Sequence, residues 1–233
     1  MNGTTVKLLF AAGALMLLAG VIFAFMRLWV IAGLMGAASL GCLAGALNFR
    51  DHGEKQLRAG EFADMNITLV DSGNFSRSSL DDFSRYQTVK NVYRLKDREL
   101  CLVYHPFTET WTPERKDEKA REILAGRHIV YGAFEGERIV GILMLLPEPD
   151  HGRLVIDSLH VSADRRRHGI GRALMAAAKE KAISVGASAL YVSACSAQET
   201  IDFYRAMGFA VSPQPIRSYA ETEPCDIQME CRL

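Results

Sequence analysis

The sequence has no net charge: 27 lysines and arginines stand against 27 aspartates and glutamates. A balance of that kind excludes the strongly basic surface by which nucleic-acid-binding domains usually declare themselves. Five cysteines occur, an odd number with no Cys-x-x-Cys pair, so neither a disulfide scaffold nor a zinc ribbon is expected. There is no Gly-Lys-Ser/Thr Walker loop and no Gly-x-Gly-x-x-Gly dinucleotide fingerprint. Internal repeats and low-complexity tracts are also missing. The most uneven absence is that of acid near the amino terminus. Between Met1 and Phe49 the only charged residues are Lys7 and Arg27, and every aspartate and glutamate lies beyond.

Two different materials are therefore joined in one chain. Leu8–Met26 and Leu28–Phe49 are uncharged runs of 19 and 22 residues. As helices they would be about 28 and 33 Å long, each near the roughly 30 Å of a hydrocarbon core. The expectation is a membrane anchor over 1–50, built as a two-helix hairpin turning at Arg27 with Trp29 at the interface. Lys7, Arg50, Lys55 and Arg58 would lie on the cytoplasmic side by the positive-inside rule, which places the remaining domain in the cytoplasm. Gly33, Ala37, Gly41 and Gly45 form a small-residue row. It would let the other span, or a second copy in a homodimer, approach closely.

Residues 51–63 read as a polar juxtamembrane linker, and 64–233 as a folded domain. Met65–Val70 alternates like a strand and ends in the turn cluster Asp71–Asn74. Ser78–Tyr93 is expected to be helical, with Leu80, Phe83, Val89 and Val92 as its apolar positions. Glu99–Tyr104 reads as a short strand. Thr112-Pro113-Glu114 opens a helix running to Leu124 and stopping at Gly126. Three strands follow in quick succession, His128–Phe134, Arg138–Leu146 and Arg153–Val161, joined by turn residues into an antiparallel meander. A helix over Ile170–Val185, a strand over Ala187–Ala194, a helix over Ala197–Met207 and a last strand over Asp226–Leu233 complete the series. The fold class is α+β: a mixed, mainly antiparallel central sheet flanked by helices and preceded by two transmembrane helices.

The most informative segment is Arg165-Arg166-Arg167-His168-Gly169-Ile170-Gly171-Arg172, where a strand gives way to a helix. Glycines at a helix start leave backbone N–H groups open, and the helix dipole adds positive potential there, which together make a cradle for a pyrophosphate. The arginines add charge for anionic phosphates.

Here the chain resembles the GNAT superfamily of acetyl-CoA-dependent N-acetyltransferases. Arg166-x-x-Gly169-x-Gly171 is similar to its main signature. Ile201-Asp-Phe203-Tyr204-Arg-Ala-Met207-Gly208-Phe209, behind a strand ending near Ala194-Cys195, is similar to its second, and the likeness covers roughly 65–233. The resemblance implies acetyl-CoA as co-substrate, with the phosphates held by Arg166, Arg167, His168, Gly169, Ile170, Gly171 and Arg172. It implies a pantetheine arm paired along Leu159, His160 and Val161. Tyr204 would be the general acid at the departing sulfur, with a core aromatic as the bland alternative. Where many relatives carry an asparagine this chain has Ala197, and Ser196 or Gln198 would take over that contact.

Asp157 and His160 are the candidate bases that would take the amine proton. Strand alternation puts them on opposite faces unless a bulge re-aims one. Glu109 would hold a cationic substrate under Trp111 or Phe107, with a plug packed on the core as the alternative. Cys195 reads as a small strand-end residue rather than a nucleophile, and no metal is implied. The expected function is a membrane-anchored acyltransferase that moves acetyl from acetyl-CoA to a primary amine of a small molecule. The alternatives are acetylation of protein amino groups, a non-catalytic acyl-CoA sensor, or an interaction protein oligomerising through its hairpin.

Overall fold

The computed structural model describes residues 65–97 and 99–233. The expected two-span hairpin and the linker over 51–63 lie outside the described residues. Among the described residues no helix is long and apolar enough to cross a membrane.

The chain runs β1 (Met65–Leu69), a 3₁₀ turn (Arg77–Leu80), β2 (Tyr86–Lys96), β3 (Glu99–Thr110), α1 (Pro113–Leu124), β4 (Ile129–Glu135), β5 (Arg138–Leu145) and β6 (Arg153–Val161). A second 3₁₀ turn (Ala163–Arg165) leads into α2 (Ile170–Ser184), then β7 (Ala189–Ala194), α3 (Gln198–Ala206), β8 (Ala210–Val211), α4 (Arg217–Thr222) and β9 (Ile227–Arg232). Seven strands form one sheet in the order β1-β4-β5-β6-β7-β9-β8. Within it only β6 and β7 are parallel, because α2 carries the chain across between them.

Local chemistry accounts for most of these elements. The Thr112 hydroxyl accepts the Arg115 N–H and Pro113 fills the first turn, so α1 starts where a cap and a proline coincide. On one face of the sheet, Leu143, Leu145, Leu154 and Ile156 pack with Leu174, Met175 and Ala178 of α2 and with Ile201 and Tyr204 of α3. On the other, Ile139, Ile142 and Met144 pack with Ala120 and Ile123 of α1 and with Phe75, Leu80 and Phe83. Each fully buried leucine or isoleucine contributes about 1.5–3 kcal/mol of transfer free energy. The four cysteines among the described residues, Cys101, Cys195, Cys225 and Cys231, are all free.

The helix expected over Ser78–Tyr93 is corrected by the structure. Residues 77–80 make one 3₁₀ turn, and Tyr86–Lys96 pairs with Glu99–Thr110 as a long two-stranded ribbon apart from the main sheet. The physical reason is a β-bulge between Val89 and Asn91. It turns Val89 and Val92, three apart, to the same buried side, and that spacing imitates a helix in the sequence. With Ala197 these two valines form a small cluster that fixes the ribbon to the loop before α3. The Tyr93 N–H donates to the Ser196 carbonyl at 2.7 Å in support.

Candidate active site

Between β6 and α2 the backbone takes two left-handed residues, Arg167 at φ +68° and Gly169 at φ +79°. An arginine in that region is strained by about 1–2 kcal/mol, a cost seen mainly where the surrounding structure needs the bend. The first intrahelical bond of α2 is donated by Ala173 to the Gly169 carbonyl at 3.0 Å. The N–H groups from Arg167 to Arg172 make no hydrogen bond to any acceptor among the described residues. Six successive free donors at a helix start form an anion cradle. Gly171 is needed for packing as well, since a Cβ there would lie 3.2 Å from the Phe203 ring of α3.

The arginines of the loop divide by role. Arg165 is bound to Glu135 at 2.8 Å and to Asp164 at 3.2 Å. Arg166 turns inward, its Nε donating to the Val161 carbonyl at 3.3 Å, and burial lowers its pKa. Arg167 and Arg172 are exposed and have no carboxylate partner among the described residues, so these two supply the free charge beside the cradle. The His168 ring closes on the Arg166 carbonyl at 2.8 Å. A pocket of about 200 Å³ beside the loop is lined by Met65, Glu135, Asp164, Arg165, His168 and Ile170.

A slot opens next to this cradle. β6 and β7 are paired only from Arg153–Ile156 to Ala189–Val192, and beyond Ile156 the two strands part. The Ser162 N–H donates to Val140 of β5 at 2.9 Å. Alternation along the strand then turns the backbone groups of His160 toward β5 and those of Leu159 and Val161 toward the slot. Leu159 and Val161 thus present a strand edge that β7 does not pair and that leads to the cradle, with Arg166 Nε on the Val161 carbonyl.

β6 also carries a bulge. Met144 pairs with Ser158 and Leu145 with Ile156, which leaves Asp157 as the extra residue. Plain alternation would have put Asp157 and His160 on opposite faces. The bulge brings both to the α1 side, where the Lys119 ammonium bears on each of them.

Their electrostatics differ. Burial raises the Asp157 carboxyl above the ordinary carboxylate range, with Glu122 and Glu223 adding to the rise and His128 and Lys119 opposing it. An aspartate moved toward neutrality is a better base than an exposed one. His160 is pushed down to about 3 by burial and then by Arg85, Lys119 and Arg166. Its Nδ1 accepts from Arg85 Nε at 3.3 Å, and its ring meets Trp111 edge-on at 4.8 Å. An imidazole so hard to protonate is a poor proton acceptor, whereas Asp157 is shifted the other way.

Tyr204 is buried in the main core, its ring 5.4 Å from Phe203 and 5.2 Å from Phe209. Desolvation drives its phenol well above the usual range, so it stays protonated at neutral pH. The Ser196 hydroxyl is taken by Arg94 at 2.7 Å, and Gln198 accepts from Asn91 at 3.0 Å. Burial raises the Cys195 thiol, which disfavours the thiolate a nucleophile would need. Glu109 is bound to Arg85 at 2.7 Å. Trp111 stacks on Phe83 with centroids 5.8 Å apart, so it acts as a plug over His160. Phe107 packs beside Val89 and Val92.

Three residues that sequence reasoning did not select help to build the site. Arg85 ties His160 to Glu109, and it is held there because Ala163 N–H donates to the Ser84 carbonyl at 2.7 Å. Its only local context was a stretch that imitated a helix. His128 faces Asp157, and the buried Lys119 is bound to Glu122 at 2.7 Å. Glu122, His128 and Asp157 each bring one atom within 4.8 Å of the others. The positive charge of that group is already supplied by Lys119.

Residues 97–209 match the model of the acetyltransferase (GNAT) family. No curated protein matches the chain in sequence. Among solved structures, a nourseothricin acetyltransferase superposes with a TM-score of 0.56 at 20% identity, over 73% of this chain and 99% of that one. A Bacillus anthracis protein described as a streptothricin acetyltransferase, solved with acetyl coenzyme A, gives 0.56 at 16% identity, over 72% and 98%. The likeness at these identities is one of fold, while the family match spans the arginine–glycine loop and Tyr204. Residues 97–209 thus match the acetyltransferase (GNAT) family model, and the described residues share the fold of solved acetyltransferases.

Proposed function

We propose that the protein is a membrane-anchored N-acetyltransferase that moves acetyl from acetyl-CoA to a primary amine of a small molecule, with its catalytic domain facing the cytoplasm. The observation that carries the coenzyme is the run of six unpartnered amides from Arg167 to Arg172, at the mouth of a slot edged by Leu159 and Val161. Phosphates suit the amides and the free Arg167 and Arg172. An amide-bearing pantetheine chain suits an unpaired strand edge.

Chemistry in the slot needs no covalent enzyme intermediate. The acceptor nitrogen attacks the thioester carbonyl carbon, a C–N bond forms and the C–S bond breaks, leaving an amide and the coenzyme thiol. Asp157 takes the proton lost by nitrogen, directly or through water. Tyr204 donates a hydrogen bond to sulfur as its negative charge grows. Its raised pKa keeps that proton in place beforehand and makes complete transfer uphill, so its contribution is greatest in the transition state.

Electrostatics favour a cationic acceptor. Glu122 and Glu223 act on Asp157, while Glu223 and Glu109 act on Asp226, whose carboxyl is pushed up to about 6 by burial first. Carboxylates that raise one another in this way gain from an ammonium group placed among them. The two neighbours of like fold include proteins named for acting on nourseothricin and streptothricin, in keeping with a small-molecule acceptor. Anchoring rests on Leu8–Met26 and Leu28–Phe49, and acetyl-CoA, an intracellular metabolite, accords with the cytoplasmic side.

The test is calorimetric titration of acetyl-CoA into the full chain in detergent, beside a Gly169→Asp, Gly171→Asp double variant shown to be folded. Saturable binding lost in the variant is expected, followed by thiol release when amines are screened. No binding to the folded wild type would sink the proposal. Protease protection in sealed vesicles of known orientation tests the sidedness.

A further inference from the structure

We infer that His128 is a positioning residue for Asp157: its Nε2–H faces the carboxylate and holds it ionised and aimed at the acceptor amine. The inference rests on the acetyl-transfer reading for its purpose, but not for its geometry. His128 stands immediately before β4, just past the turn that ends α1. Its Nε2 lies 3.7 Å from Asp157 Oδ1. Its other nitrogen, Nδ1, is buried and has no hydrogen-bond partner among the described residues.

That orphan decides the tautomer. A neutral imidazole carries one hydrogen, on one nitrogen or the other. Placed on Nδ1, the hydrogen would be a buried donor with nothing to receive it, and would leave a bare lone pair facing a carboxylate. Placed on Nε2, it points at Asp157 and leaves only an unused acceptor at Nδ1. Orphaned acceptors are the better tolerated of the two. The 3.7 Å separation is longer than a formed hydrogen bond and acts as an oriented dipole.

The bulge on β6 completes the arrangement from the other side. Because Asp157 is the extra residue in the ladder, its side chain leaves the alternation of β6 and turns toward His128. The other groups that face Asp157 do not duplicate this role. From α1 come Lys119 and Glu122, bound to each other at 2.7 Å and so largely offsetting one another. From the end of α4 come Tyr219 and Glu223, and Glu223 raises the carboxyl. His128 differs from them in that its Nε2 faces the Asp157 carboxylate while its Nδ1 has no partner among the described residues.

The test uses the full chain in detergent micelles with labelled histidine nitrogens and labelled aspartate carboxyl carbons, read by NMR. In the wild type, with the pH raised until the ring is neutral, the nitrogen shifts should report the Nε2–H tautomer of His128. In His128→Ala the Asp157 titration midpoint should rise by about one unit. In His128→Gln, whose amide can still donate, at least half of that rise should be reversed. With acetyl-CoA and 1,3-diaminopropane as the amine probe, the acid limb of kcat/KM should move up with the midpoint while KM for acetyl-CoA is unchanged. An Nδ1–H tautomer would overturn the inference without any variant having to fold. So would an unmoved midpoint in His128→Ala, or a glutamine variant that behaves like alanine. Absence of thiol release with every amine would tell against the acetyl-transfer reading alone, because the tautomer and the midpoint are measured without turnover.

Discussion

Replacing Tyr204 by phenylalanine separates its two readings, proton donor and core aromatic, because they predict opposite patterns of loss. The ring lies in the core between Phe203 and Phe209, and Phe keeps all of those contacts. The hydroxyl makes no hydrogen bond to any partner among the described residues, so its removal strands no such partner, and the change in stability should stay within about 0.5 kcal/mol. In the proposed reaction the same atom would face the developing thiolate. Loss of a positioned acid costs about 10²–10⁴ in rate. A phenol held well above its ordinary range by burial acts through a hydrogen bond rather than complete transfer, which places Tyr204→Phe near the low end. The expected result is a kcat lowered about 100-fold, or about 2.7 kcal/mol of transition-state stabilisation. Tm and the Kd for acetyl-CoA should be unchanged. Thiol release under saturating acetyl-CoA gives kcat, a thermal melt gives Tm, and calorimetry gives Kd. A variant within threefold of wild-type kcat at unchanged Tm would show that Tyr204 is a packing residue and that the departing sulfur is served by another group or by water.

Gly169→Ala forces a side chain onto φ +79°. It should cost about 1–2 kcal/mol of stability and weaken acetyl-CoA about tenfold as the amides shift; an unchanged Kd would show that the cradle is not the phosphate site. Asp226 has its carboxyl raised from 3.8 to about 6 in the fold, so the folded state holds this proton more tightly than the unfolded one. Stability is therefore lost as pH rises from about 4 to about 6. Asp226→Asn should raise Tm at about pH 7.5 and hardly at about pH 4, and an equal effect at both would refute the assignment. His160, held at about 3, should show no NMR titration between about pH 5 and pH 8, and a midpoint above 5 would contradict the charge and burial described around it. Its folded pKa is depressed, so its contribution to stability is complete above the unfolded value near 6.5 and declines as pH falls toward 3.

Much of the domain was legible in the residues because its signals are local. Thr112-Pro113 starts α1 by capping, Glu135-Gly136-Glu137 closes the β4–β5 hairpin, and the apolar spacing from Ile170 onward makes α2 amphipathic. Arg166-x-x-Gly169-x-Gly171 marks the cradle because free amides at a helix start depend on a few consecutive residues. Two places where side chains depart from plain strand alternation have one cause. In β2, Val89 and Val92 share a face; in β6, Asp157 and His160 share one. Three residues apart, neither pair can share a face in a regular strand, and a bulge in each case makes it happen. Bulges are settled by how a strand meets its neighbours, and no composition signal surrounds either one.

The sequence by itself determined the succession from α1 to α3 and the last strand, the glycine-bearing start of α2 and the aromatic trio around Tyr204, since each follows from spacing along one segment. Only the tertiary structure decided the surroundings of Asp157 and His160. Arg85 reaches His160 from 75 residues away and occupies its Nδ1, Lys119 and Glu122 arrive on α1, and His128 meets Asp157 across the sheet. A pKa is set by the burial and charge that converge on a group in space, and those contacts join segments whose separation along the chain carries no trace of their meeting.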